Sequence, residues 1–138
     1  MVTLNREIRT EAERRLKLAE GFMSTAELNS SSSEYAIRNA YSRAYYGLFH
    51  ACYALLLGIG IDATEVKGIA EKHGHLHSSM RGPMGKFFER CLRAAYDRRR
   101  ESDYVPEWAV PAASAQEELK LTRAQFYWLL VTARRMLK

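Results

Sequence analysis

Residues 33–58 read SEYAIRNAYSRAYYGLFHACYALLLG, and the spacing of apolar side chains along them determines the fold class. A helix turns by about 100° per residue, so side chains three, four or seven positions apart share one face. Six side chains fall in one sector of this stretch: Ile37, Tyr41, Ala44, Leu48, Cys52 and Leu55. A long helix with one continuous apolar face predicts a central element of a helical bundle.

Two long helices are predicted in the first half of the chain. The first covers about residues 3–28 and ends at a run of serines, whose hydroxyl groups compete for backbone hydrogen bonds. The second contains the stretch above, begins at residue 33 or 34, and ends at Gly58 or Gly60. Glycine is the residue that most often ends a helix, which favours those last two positions.

A short helix and two more long helices are predicted in the second half. Asp62 and Glu65 form a capping-box pattern, which predicts a short helix over 62–72 followed by a loop up to Pro83. A long helix is predicted over 84–100, and the last one begins at Ser114 as N-cap and continues to the C-terminus. The predicted fold is therefore all-α, an up-and-down antiparallel bundle of four main helices plus a short connecting helix, in a single domain over 1–138.

The composition narrows the class of protein. Hydrophobic residues make up 47% of the 138 residues and charged residues 27%, a balance typical of globular domains. The longest apolar run, 51–61, is too short to cross a bilayer, and charges at Arg6 and Glu7 exclude a secretory signal there. We therefore expect a cytoplasmic protein that does not contact membranes, in which Cys52 and Cys91 are reduced thiols. The net charge of +5 weakly favours a polyanionic partner.

The other side of the second helix carries the polar groups. Arg43 and His50 are seven positions apart, so they differ by only about 20° and lie almost opposite the apolar sector. Asn39, Tyr46 and Tyr53 flank them. A guanidinium binds phosphate oxygens and an imidazole transfers protons near neutral pH, so this stripe could cleave RNA through the ribose 2′-OH without a metal. A solvated surface or a dimer contact would explain the same spacing.

The segment SRAYYGLFHA, residues 42–51, resembles the signature of HEPN domains (higher eukaryotes and prokaryotes nucleotide-binding). It is most similar to the small prokaryotic branch often paired with a minimal nucleotidyltransferase. The segment RRESDY at 99–104 resembles the end of helix three in that branch, and the first helix also fits. The resemblance covers nearly the whole chain.

The resemblance implies a homodimer in which Arg43 and His50 of two subunits face a shared cleft and act as a metal-independent ribonuclease. It also implies a toxin restrained by a minimal nucleotidyltransferase antitoxin. Asn39, Tyr46, Tyr53 and Arg99 would line the cleft or bind nucleotide or RNA. Ala44 stands where active members commonly have a polar residue, and the tyrosine modified in silenced members lies one position before Tyr53. The alternatives are a non-catalytic module that binds nucleotide or the nucleotidyltransferase, and a helical adaptor.

Two further groups of side chains each have a structural and a functional interpretation. The alternating histidines His73, His75 and His77 could bind a transition metal from an extended segment, but a solvated loop is the favoured interpretation. The arginines at the end of helix three, residues 90–100, either favour the helix dipole or form an RNA-backbone patch. Arg99 is expected to pair with Asp103, with the Tyr104 ring beside it. No cofactor or resident metal is predicted.

Overall fold

In the computed structural model, which describes residues 5–29, 31–62 and 68–138, the regular secondary structure of those ranges is entirely helical. The elements are α1 (Arg6–Ser24), α2 (Glu34–Gly58), α3 (Ile69–Ser79), α4 (Arg81–Tyr104) and α5 (Ala112–Met136). The all-α class predicted from the apolar spacing is confirmed, as are both ends of α2.

Helix α2 lies at the centre of the bundle. α1, α4 and α5 all pack against it, and every residue of its last two turns, 51–58, is buried. The six apolar side chains of the predicted sector are all buried as well. The helix begins where the Ser33 hydroxyl accepts a hydrogen bond from the backbone N–H of Ala36.

The four long helices alternate in direction, as the up-and-down arrangement requires. Arg43, near the start of α2, contacts Thr25 just beyond the end of α1, so these two helices are antiparallel. Arg99 of α4 donates to the Tyr46 hydroxyl while Arg38 reaches the end of α4, so α4 runs against α2. α5 runs against α1, because Arg9 near the start of α1 contacts Leu137 just after α5, whereas Arg123 in the middle of α5 contacts Ala26 just beyond the end of α1.

Helix α1 is shorter than predicted. It ends at Ser24, not at residue 28, because the hydroxyls of Ser24 and Thr25 donate to the carbonyls of Gly21 and Phe22, which would otherwise bond to a further helical turn. At its other end, Asn5 caps the helix by accepting from the N–H of Ile8. Residue 3, the predicted start, lies outside the described residues.

The segment between α2 and α4 differs most from the prediction. Residues 63–67 lie outside the described part, so the predicted capping box with Glu65 is not described, and the short helix is α3, seven residues later than 62–72. The histidine segment predicted to be a solvated loop is inside this helix, with His73 and His77 buried beneath it. Burial of these side chains and Leu76 against the bundle stabilises a helix that local sequence does not favour.

Both later helices begin before the predicted positions. α4 starts at Arg81 with a break at Gly85, whose φ of 88° requires glycine, and it continues past residue 100 to Tyr104. α5 follows Pro111, which has φ of −58° and therefore places the chain in register for a first helical turn, so the predicted N-cap at Ser114 is wrong.

Arg38 fixes the connection between these two helices. Its guanidinium donates four hydrogen bonds to backbone carbonyls at the end of α4 and the start of the connection: those of Ser102, Val105, Pro106 and Trp108. Carbonyls at the end of a helix have no partner within the helix, and one half-buried cation satisfies several of them here. α2 thereby positions the far end of α4.

Candidate functional site

The polar side of α2 lies along the seam between α1 and α2. α1 approaches most closely at Gly47, where an added Cβ would stand 3.2 Å from the carbonyl oxygen of Ala19 and 3.1 Å from the Met23 side chain. Glycine is therefore required at this position for close contact of the two backbones. The stripe predicted to face away from the packed interior is instead half covered by α1.

The register of the seam predicts opposite effects for two glycines. Gly47→Ala is expected to destabilise the protein by about 1–3 kcal/mol, because the new methyl group meets α1 backbone that cannot move aside. Gly21→Ala, in α1, places its methyl group in open space and is expected to stabilise the protein by about 0.5–1 kcal/mol through helix propensity. Urea unfolding of both variants measures the difference. Equal changes in the free energy of unfolding would contradict the close approach.

Arg43 lies at one end of the seam, half-buried. Its guanidinium donates one hydrogen bond, 3.2 Å, to the hydroxyl of Thr25. It also borders a groove of about 460 Å³ whose other lining residues come from α1: Arg14, Lys17, Leu18, Gly21 and Phe22. The groove thus brings three cations together, and an anion such as a phosphate diester would neutralise them.

His50 lies further along the same edge. Its imidazole is stacked on Phe22, with ring centroids 5.5 Å apart and planes 9° from parallel. Arg15 Nη1 is 3.0 Å from His50 Nδ1. Burial is the main cause, and the charges of Arg15 and Arg14 the next, of a pKa of His50 lowered to about 4. His50 is therefore neutral at physiological pH.

Phe22 connects the two predicted residues. It lines the groove beside Arg43 and covers one face of the His50 ring, so both side chains lie on the same edge of the seam. Seven helical residues correspond to about 10 Å along the axis. The two side chains are therefore too far apart for a single phosphate to contact both. The structure therefore places them on a common surface without bringing them into contact.

Tyr46 of α2 and Arg99 of α4 border this surface. Arg99 Nη2 donates a 2.7 Å hydrogen bond to the Tyr46 hydroxyl, and the Arg99 guanidinium stands over the Tyr46 ring. The ion pair expected with Asp103 is present, at 3.2 Å, and the ring of Tyr104 lies 5.7 Å from the guanidinium. Arg99 is thus held by α2 and by its own helix.

Two residues predicted to flank the stripe lie elsewhere. Asn39 is exposed and borders a separate cavity of about 720 Å³ near Ser102 and Asp103, because α2 turns it toward the end of α4. Tyr53 is only 3% exposed, and its hydroxyl donates to Asp62 Oδ1 at 3.1 Å. The Arg15 guanidinium covers its ring at 4.0 Å. Tyr53 therefore supports the site from beneath.

A second polar cluster lies inside the bundle, and sequence reasoning missed it. The Tyr45 hydroxyl is 2.6 Å from His73 Nδ1 and 2.9 Å from His77 Nε2, and all three side chains are buried. The pKa of each imidazole is lowered to about 4, first by burial and then by neighbouring cations. The i,i+4 spacing of the two histidines was the available signal, since it places both on one helical face.

The arginines at the end of α4 have mostly local partners. Arg93 pairs with Glu89, and Arg98 pairs with Glu101 and Glu118. Within the described ranges, no three His, Cys, Asp or Glu side chains are grouped to hold a metal ion. In the same part of the chain, no helix combines the length and apolar character that a membrane span requires. The α1–α2 seam is the surface on which Arg43 and His50 lie together.

Comparisons with known proteins cover the same region. The family model described as HEPN domain matches residues 12–135. A protein of Methanocaldococcus jannaschii whose name describes it as a candidate toxin is 30% identical over 104 residues, 75% of each chain. UPF0332 proteins of Pyrococcus horikoshii and Archaeoglobus fulgidus are 35% and 34% identical, over 59% and 68% of this chain and 56% and 72% of their own. The family match includes both helices of the seam.

Proposed function

Because this chain belongs to the HEPN family, we propose that it is a toxin-type, metal-independent endoribonuclease in which Arg43 and His50 act on RNA at a cleft between two copies of the chain. The observation that carries the proposal is the position of both residues on one edge of the α1–α2 seam, beside a groove with three cations. The toxin class is supported by the name of the Methanocaldococcus relative.

The chemistry is an internal transfer of the phosphodiester. The ribose 2′-oxygen attacks phosphorus, the bond from phosphorus to the 5′-oxygen breaks, and a 2′,3′-cyclic phosphate forms. His50 takes the proton of the 2′-OH and returns it to the departing 5′-oxygen, so no net proton is consumed. Arg43 stabilises the charge that develops on the phosphoryl oxygens. DNA lacks the 2′-OH and is not a substrate.

Two copies of the chain would complete the site. Arg43 and His50 are about 10 Å apart along α2, and a twofold axis midway between them would place each Arg43 opposite the partner subunit's His50. Tyr46 lies near that midpoint and is half-exposed, whereas the neighbouring Gly47 is covered by α1. The composite site is therefore compatible with the symmetry of ordinary homodimers.

The purified chain is expected to cleave a mixed-sequence oligoribonucleotide in the presence of EDTA and to leave cyclic phosphate ends. The DNA and 2′-O-methyl versions of the same oligonucleotide are expected to remain intact, because neither has a free 2′-hydroxyl. Gel electrophoresis and mass spectrometry of the products measure both. Cleavage of the DNA version, or no cleavage of RNA by the dimeric protein, would reject the nuclease.

A second candidate function is a binding module that holds RNA, nucleotide or a minimal nucleotidyltransferase without cleavage. One observation favours it: the Nδ1 lone pair of His50 accepts from Arg15, so the imidazole has no unoccupied basic nitrogen in this arrangement. Calorimetry with nucleotides and with 2′-O-methyl RNA, and a pull-down with a small nucleotidyltransferase as bait, identify the ligand. Binding without cleavage by the parent protein selects this function.

A further inference from the structure

Arg15 is held in place on three sides. Its Nη1 is 3.0 Å from His50 Nδ1, its Nε is 2.9 Å from Glu11 Oε1, and its guanidinium carbon stands 4.0 Å from the centre of the Tyr53 ring. The side chain is only 18% exposed. A cation with an ion pair, a hydrogen bond and an aromatic face against it has one preferred position.

That position determines which nitrogen of His50 carries the hydrogen. A guanidinium has five N–H donors and no acceptor, so the nitrogen it contacts must supply a lone pair. His50 Nδ1 is therefore unprotonated and the hydrogen is on Nε2. A second proton on Nδ1 would replace the hydrogen bond with a contact between two donors and two positive charges. The hydrogen bond from Arg15 and a proton on His50 Nδ1 are therefore mutually exclusive in this geometry.

We propose that Arg15 is a positioning residue that holds His50 neutral with its hydrogen on Nε2, and that a phosphate of bound RNA withdraws the guanidinium and lets His50 take up a proton. The inference rests on the proposed ribonuclease site. A phosphate offers two oxygens to a guanidinium, whereas the imidazole offers one nitrogen, so a bound phosphate competes well for Arg15.

The surroundings of His50 support this exchange. The charged groups that face it are Arg15, Arg14 and Glu11 from α1, and Tyr53 is the neighbouring titratable group on α2. Phe22 fills one face of the ring and also lines the cationic groove. Phe22 therefore stands between the groove and the Arg15–His50 pair. An RNA strand with one phosphate in the groove would extend past Phe22 and bring a neighbouring phosphate to Arg15, which couples substrate binding to the protonation of His50.

The test is NMR of the histidine side chains in the full-length, ¹⁵N-labelled protein, with the His50 signals assigned by their loss in His50→Gln. We expect the parent to show the Nε2–H tautomer. Arg15→Met is expected to mix the tautomers and raise the pKa of His50 by about one pH unit or more. Arg14→Met is the matched control, because Arg14 is a neighbouring charge that makes no hydrogen bond to His50. It is expected to change the tautomer of His50 little. Arg15→Lys keeps the charge and should restore part of the effect.

The second arm adds an oligonucleotide with 2′-O-methyl groups, which cannot be cleaved. It is expected to raise the pKa of His50 in the parent and to have a much smaller effect in Arg15→Met. An unchanged tautomer in Arg15→Met, or equal effects of the Arg14 and Arg15 variants, overturns the inference. Oligonucleotide binding that leaves His50 unchanged overturns the exchange alone. No binding of the oligonucleotide overturns the exchange together with the proposed function, while the tautomer result still stands by itself.

Discussion

Replacement of His50 by alanine is expected to slow RNA cleavage by about 10²- to 10⁴-fold, the range that a positioned acid–base group contributes. Arg43→Ala is expected to slow it by about 10²- to 10³-fold, because the charge that develops on the phosphoryl oxygens then lacks its cation. Both side chains are half-buried at the edge of the seam, so the fold should remain. Single-turnover cleavage of a labelled oligoribonucleotide at saturating protein measures the chemical step.

The matched control for Arg43 is Arg90→Ala on α4, which removes an exposed cation outside the seam. It is expected to leave the cleavage rate within about twofold of the parent, as surface substitutions usually do. If Arg90→Ala lost as much activity as Arg43→Ala, a general decrease in positive charge would explain both results. Affinity for 2′-O-methyl RNA, measured in parallel, separates weaker binding from slower chemistry.

Mixing the two inactive variants tests whether one site uses two chains. In a twofold dimer with composite sites, a dimer that pairs an Arg43→Ala subunit with a His50→Ala subunit contains one intact site. Random exchange of subunits makes half of the dimers mixed, so about one quarter of the parent activity should return. A site within a single chain gives no recovery, and that result would reject the shared cleft while leaving the nuclease chemistry open.

The apolar residues of α2 were sufficient to predict it because the helix is long, at 25 residues, and has clear signals at its ends, Ser33 as N-cap and Gly58 as its last residue. α3 could not be predicted in the same way. In the sequence, His73 and His77 are polar residues in a glycine-containing segment, which predicts a solvated loop. Their burial is favourable because both bond to the Tyr45 hydroxyl on another helix. The two hydrogen bonds that stabilise α3 join Tyr45 to residues 28 and 32 positions later in the sequence.

The candidate site was predictable in composition but not in surroundings. A helical wheel places Arg43 and His50 on one side of α2, and both lie there. The wheel cannot show that α1 covers part of that side, because the close approach depends on Gly47 meeting the Ala19 backbone. For the same reason Arg15 was not among the predicted site residues: its contact with His50 depends on the register between two helices.

Acidification from pH 7 to pH 5 is expected to destabilise the protein by about 2 kcal/mol for each of the two buried imidazoles, His73 and His77. Each has a pKa of about 4 in the folded chain, caused first by burial, against an ordinary value of 6.5. Between pH 6.5 and pH 4 the imidazoles are protonated in the unfolded chain and neutral in the folded chain. Their contribution to the free energy of unfolding is therefore fully present above pH 6.5 and is lost as the pH decreases toward 4. His50, whose pKa is also about 4, adds in the same direction, with a smaller effect because it is half-exposed.

Urea unfolding at intervals between pH 7 and pH 5 measures this loss. Arg partners lower the pKa of Glu11 and Glu89, so those two carboxylates stay charged in this range. His77→Gln provides the internal comparison: its amide can still bond to the Tyr45 hydroxyl but does not titrate, so about 2 kcal/mol of the pH-dependent loss should disappear. A lower stability of the variant at pH 7 does not affect this slope. If the parent protein were as stable at pH 5 as at pH 7, the two imidazoles would accept protons without unfolding. The cluster of Tyr45, His73 and His77 would then not require neutral imidazoles.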